Sequence, residues 1–305
     1  MANFLDLKLE CNGKALLFGK SAEGEPREFG ITKITGLESS ALDINTSDNA
    51  LVDGLIVDGK RILKRVIHIE AELRDDRNNE TERQRIIHFF NPKFTGRLTA
   101  NLGGTERNID YELEGWTFPS SKIRNKIAIS VDLICPSPYM RNMNNYGRNM
   151  ASYTALAAFP WRVLNKKVKG TPDPHKGLTL RGTTTGYRTL AKNVLLMNDG
   201  DVPCGLVIRF VASRGAVKNP KITQSVTGDY VRVICDLKKG DELVVDTDSR
   251  HQIIEINGVN AYQKIDRQSR PFMLSVGENQ VSYNADENYS NLDVMLYYTP
   301  LYLGV

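Results

Sequence analysis

The chain has 305 residues, with 40 Lys and Arg against 36 Asp and Glu, a formal net charge of +4, 41% hydrophobic residues and 25% charged. This is the balance of an ordinary globular protein, and it gives no electrostatic reason to expect a nucleic-acid partner. Asp6, Lys8 and Glu10 interrupt the opening segment where a signal peptide needs an apolar core, and no apolar run approaches the roughly 18 residues of a membrane span.

Period-two alternation dominates the first half. Asn12-Gly13 supplies residues that tolerate the positive φ of a type I′ hairpin turn. The stretch ALVDGLIVDGK carries Leu51, Val52, Leu55, Ile56 and Val57 between turn residues. Such an apolar loop is either tucked over its own core or buried against a neighbour. RILKRVIHIEAEL then predicts a half-buried strand over residues 61–73, with Ile67 and Ile69 on the dry face and His68, Glu70 and Glu72 on the wet one. NETERQRIIHFFNP predicts one short helix, with capping-box spacing from Asn79 to Glu82, an apolar stripe of Ile86, Ile87 and Phe90, and Pro92 as the stop. GRLTANLGGTERNIDYELEGWTF reads as a hairpin turning at Gly103-Gly104, with Trp116 in the core, and KIAISVDLIC as another half-buried strand.

Residues 141–192 are rich in Asn, Gly, Thr, Pro and Lys and read as a connection holding one short strand, AFPWRVL. From Asn193 the alternation returns, in strands spaced by turn residues such as Asn257-Gly258. That cadence predicts an antiparallel sandwich or jelly roll. The four cysteines, Cys11, Cys135, Cys204 and Cys235, lie far apart and form no CxxC pair, the usage of reduced thiols in a cytoplasm.

Motifs that carry chemistry are weak. His68 and Glu70 form an HxE triplet, but the downstream PCxxC of a zinc deaminase is missing, and a solvated ladder on the wet face explains them. Asn198–Asp201 has no closing Glu for a calcium loop, and Asp246, Asp248 and His251 fit a polar hairpin turn as well as a metal. There is no GxSxG, GxGxxG or GxxxxGK[ST]. No catalytic residue, metal ligand or cofactor is therefore assigned, and no enzymatic activity is expected. Trp161, Tyr187, Tyr262, Tyr283 and Tyr289 would stack on sugar rings if they lined one face, or would fill the core of a sandwich.

Read end to end, the chain resembles the distal tail protein family of long-tailed, non-contractile phages. In the first half the resemblance rests on ITGLESSALDINTSDNALVDGLIVDGKRILKRVIHIEAEL, then ERQRIIHFFNP, EGWTF and IAISVDLICPSPYM. In the second half it rests on VLLMNDGDVPCGLVIRF, NPKITQSVTGDYVRVICDLKKGDELVVDTDSRHQIIEINGVN, FMLSVGENQVSYNAD and the closing YLGV. The resemblance implies a mainly β protein. Residues 1–140 would be an N-terminal sheet domain with one short helix, building a hexameric ring. Residues 141–305 would be a linker and a galectin-like antiparallel β-sandwich. It also implies a virion-tail component, assembled in the host cytoplasm, that joins the tail tube protein to the tail-tip protein and helps carry a receptor-binding protein. No sequence-specific nucleic-acid binding and no membrane insertion go with it. Within this frame Val52, Leu55, Ile56 and Val57 are the candidate subunit or tube contact. The alternative is a glycan-binding β-sandwich module contacting the host cell wall.

Overall fold

The computed structural model describes residues 4–48, 53–74, 79–117, 127–142, 146–155, 186–190 and 193–305. The chain is mainly β, as the alternation predicts. Two compact units divide it. The first joins Met1–Asn145 with Asp199–Cys204 and Thr299–Val305, and the second joins Tyr146–Asn198 with Gly205–Tyr298. The strand cadence of the sequence carries no sign of the two segments that return to the first unit.

The first unit opens with β1 (Leu5–Cys11), β2 (Lys14–Gly19) and β3 (Phe29–Thr35), followed by β4 (Leu42–Asp48), β5 (Leu55–Ile62) and β6 (Arg65–Leu73). Helix α1 (Asn79–Phe89) precedes β7 (Gly96–Leu102), β8 (Thr105–Thr117), β9 (Ala128–Cys135) and β10 (Met140–Asn142). The main sheet runs β10-β8-β7-β1-β2-β3-β6-β9, and β8 also pairs with β9, which closes the strands from β8 round to β9 into a barrel. A further short strand, Leu301–Tyr302, adds to the free side of β10. Among the described residues β4 and β5 pair only with each other, as a hairpin apart from the barrel sheet.

Alternation explains the barrel interior. Leu7, Leu9, Leu16, Phe18, Phe29, Ile67, Ile69, Val131 and Leu133 are completely buried, and their sequence neighbours face outward. Helix α1 adds Ile86 and Phe89 to this core, with Phe90 just beyond its end. The Phe90 ring stacks on Trp116 with centroids 5.6 Å apart, which gives Trp116 its half-buried place against the core. One expectation changes. The strand predicted from residue 61 begins at Arg65, because Arg61 and Ile62 finish β5 and the Leu63 amide donates to the Ala41 carbonyl at the base of the hairpin.

The second unit starts inside the stretch expected as a connection. There the chain forms β11 (Tyr146–Asn149), β12 (Ala151–Ala155) and β13 (Gly186–Leu190), while the expected AFPWRVL strand lies outside the described residues. Next come β14 (Asn193–Asn198), β15 (Leu206–Ala212), β16 (Val217–Gln224), β17 (Tyr230–Arg232) and β18 (Asp236–Leu237). The unit finishes with β19 (Glu242–Asp246), β20 (Ile253–Ile256), β21 (Val259–Asn260), β22 (Gly277–Glu287) and β23 (Leu292–Tyr298), after which Leu301–Tyr302 is β24. Two larger antiparallel sheets carry it, β11-β23-β15-β19-β20-β21 and β14-β22-β16-β17, the architecture the cadence predicts, and β12-β13 form a separate two-stranded sheet. The first buries Leu206, Ile208, Phe210, Val245 and Leu296; the second buries Leu196, Ile222, Val281 and Tyr283. The predicted hairpin turns have the expected backbone, with φ of 47° and 73° at Asn12-Gly13, and 52° and 76° at Asn257-Gly258.

Candidate subunit-contact surface

The β4–β5 hairpin sorts its side chains by face. Directly paired residues in an antiparallel ladder project on the same side. Leu42 pairs with Ile62, Ile44 with Lys60, Thr46 with Val57 and Asp48 with Leu55. One face therefore gathers Leu42, Ile44, Val57, Leu55 and the half-buried Ile62, interleaved with Lys60, Thr46 and Asp48. The other carries Asp43 and Arg61, bonded at 2.7 Å, together with Ser47 and Ile56. A register shift between Asn45 and Thr46 takes up Asp58 as an extra residue, so Leu55 and Val57 stay on the side of Leu42 and Ile44 across it.

This face is open. Leu42 is 65% exposed, Ile44 50%, Leu55 62% and Val57 49%, and Ile56 on the opposite face is 43% exposed, so these residues are not tucked over their own core. Val52 lies outside the described residues. The structure thus brings Leu55 and Val57 onto one face and puts Ile56 on the other. It adds Leu42 and Ile44, which sequence reasoning missed. Their signal is the alternation in ALDINTSD, legible as part of the surface only once β4 is known to pair with β5.

The rejected motifs are occupied by ordinary internal bonds. His68 bridges two carboxylates on the outer face of β6, with Nδ1 2.6 Å from Asp132 Oδ1 and Nε2 3.0 Å from Glu70 Oε1. Hydrogen bonding to Asp132, then to Glu70, raises the His68 pKa, and the His68 bond holds Glu70 below the usual carboxylate range. Asp246 accepts from the Asp248 amide at 2.9 Å, Asp248 pairs with Arg250 at 3.1 Å, and His251 lies 3.7 Å from Asp246. The Asn198 amide donates to the Leu274 carbonyl at 3.1 Å, and Asp201 accepts from the Leu303 amide at 2.9 Å. Among the described residues no group of three or more His, Cys, Asp or Glu gathers as a metal site, and no helix is long and apolar enough to cross a membrane.

Among the described residues the aromatics do not form one face. Tyr283 is buried, Tyr289 sits in a 3₁₀ turn over residues 289–291, and Trp161 and the Tyr187 side chain lie outside the described part. Tyr262 is 44% exposed at a shallow cleft lined by Asp246, Gln252 and Ile265, with its hydroxyl donating to Gln252 Oε1 at 3.3 Å. All four cysteines are free thiols, and burial pushes Cys135 up to about 12 and Cys235 up to about 11.

Both units have likenesses among known proteins. Residues 199–302 match the family model of the siphovirus-type tail component, C-terminal domain. The whole fold is similar to the crystal structure of SPP1 Dit (gp 19.1), described as a paradigm of the hub adsorption apparatus in Gram-positive-infecting phages. The TM-score is 0.65 at 12% identity, over 97% of this chain and 99% of that one. It is also similar to a chain in the phage P2 baseplate in its activated conformation with calcium, at a TM-score of 0.53 and 9% identity over 98% of both chains. No curated protein matches the chain by sequence.

Proposed function

We propose that the protein is the distal tail component of a siphovirus-type phage, forming a hexameric ring at the end of the tail tube that joins the tube to the tip and the host-adsorption apparatus. The first unit makes the ring, and the second stands as a galectin-like domain available to tip or receptor-binding proteins. Assembly takes place in the host cytoplasm, and the role is structural rather than enzymatic. The observation that carries this reading is the apolar face of the β4–β5 hairpin, on a chain that bears the tail-component domain. A ring is built from heterologous contacts, in which one patch on each subunit meets a different patch on the next. Leu42, Ile44, Leu55 and Val57 make one such patch, with Val52 and Ile56 beside it in sequence.

Negative-stain images of the purified protein test the proposal. Six-fold rings are the expected outcome. Monomers persisting at high concentration, with the tube and tip proteins also supplied, would overturn it.

A further inference from the structure

Arg65 opens β6 on the core-facing side, in step with Ile67 and Ile69, and its side chain is completely buried. Its guanidinium bonds only carbonyl oxygens in the contacts that hold it. Nε donates to Pro138 at 2.9 Å, Nη1 to Gly36 at 2.7 Å and to Leu37 at 2.9 Å, and Nη2 to Leu303. Three of these acceptors come from the turns beside β3 and β9. The fourth lies 238 residues further along the chain, after the whole of the second unit. A buried cation with no carboxylate bonded to it, only the charge of Glu38 nearby, is tolerable only while its N–H groups stay bonded and water stays out.

The segment that supplies the fourth acceptor is seated at several further points within the first unit. β24 extends the sheet by pairing Leu301 with Arg141 and Tyr302 with Met140. The Tyr302 ring packs against the Arg107 guanidinium at 3.7 Å from its centroid. The Leu303 amide donates to Asp201 at 2.9 Å, and the Asp201 amide donates back to the Leu301 carbonyl at 2.8 Å. Gly304 runs so close to the turn after β3 that an added Cβ would stand 2.4 Å from the Glu38 carbonyl oxygen. The same turn already needs glycine at Gly36, where φ is +92° and a Cβ would meet the Val66 carbonyl at 2.1 Å.

We propose that residues 299–305 act as a latch, so that the first unit closes around Arg65 only after the chain has passed through the entire second unit and returned. Until then Arg65 lacks one partner, the β10 edge is uncovered, and the site stands open to water. The consequence for assembly rests on the ring reading above. A chain whose second unit is unfinished would be withheld from the ring, because its first unit is not yet closed.

The test compares the full chain with a chain ending at Tyr298 and with full-length Gly304→Val, by amide hydrogen exchange and light scattering. The truncated chain exposes the latch site outright. The glycine variant keeps every other residue and blocks only the close approach. Both are expected to speed exchange in β10 and in the first residues of β6 by roughly tenfold or more, while β15, β16 and β22 keep their protection. Unchanged exchange in β10 and β6 in both variants overturns the latch, whatever their oligomeric state. Faster exchange with assembly retained overturns the coupling to assembly. A full chain that stays monomeric counts against the ring reading, and the exchange comparison alone then decides the latch.

Discussion

β5 and β6 follow one another in the chain, separated by Leu63 and Lys64, and both are rich in apolar residues, yet they end in opposite surroundings. In β6 the apolar residues alternate with polar ones, and Ile67 and Ile69 are fully buried in the barrel. In β5 Leu55, Ile56 and Val57 are consecutive, and all three are exposed. Alternation lets one strand serve a core and water together. A consecutive run in a two-stranded hairpin cannot, because each face of the ribbon receives part of it. Burying a Leu or Val side chain contributes about 1.5–3 kcal/mol. On the proposed reading, a hairpin that leaves several exposed on one side would gain stability from a surface outside its own unit.

Truncation inside the barrel is expected to have the largest effect on folding. Ile67→Ala should cost about 2–5 kcal/mol, the loss of buried methyl groups plus the cavity left behind. Urea titration measures it, and a loss below about 1 kcal/mol would mean that β6 does not anchor the core. The double substitution Leu55→Asp with Val57→Asp should instead change subunit stability by no more than about 0.5 kcal/mol, since both sites are solvent-facing, while abolishing assembly. Light scattering and urea titration on the same sample separate the two effects. If folding is lost with assembly, the hairpin belongs to the subunit core, and the contrast with β6 fails. Asp43→Asn, on the opposite side of the hairpin, sharpens the comparison further. Its ion pair with Arg61 is largely solvated, so the cost should be below about 0.5 kcal/mol, with assembly intact. Loss of assembly there would mean that both sides of the hairpin are contacts.

The sequence made these two strands legible to different depths. Period-two patterning predicted which residues of β6 and β9 point inward, because burial on one face writes itself directly into the residue order. It left ALVDGLIVDGK between two readings, tucked over its own core or set against a neighbour. The deciding fact is the pairing of Leu42, Ile44 and Thr46 with Ile62, Lys60 and Val57. Pairing between strands is a non-local property that no window of sequence holds. Arg65 escaped notice for a related reason. Its inward position is plain from its parity with Ile67, but its partners Gly36, Pro138 and Leu303 are joined only in the fold. The polar stretch after residue 140 looked like a linker because β10 through β13 are short, and each pairs with a strand distant in sequence or across a long gap.

The smallest effect belongs to the outer face of β6, at His68. Its neighbours there are Asp132 on β9, Glu70 on its own strand and, from β3, Lys33, which lies 3.8 Å from Glu70. The His68 pKa is raised, chiefly by the Asp132 hydrogen bond and then by Glu70. A raised folded pKa means that the folded state holds the proton more tightly, so the stabilisation is fully present below the unfolded value of about 6.5 and fades as pH rises through the folded value. On the acid side Glu70, whose pKa is lowered, holds its share above its unfolded value and loses it as pH falls through the folded one. The stability difference between the native chain and His68→Gln should therefore be largest near about pH 5.5 and shrink towards about pH 9. Urea titrations at the two pH values measure it. A difference that grows with pH would mean that His68 is held neutral in the fold, and that the two carboxylates do not govern its charge.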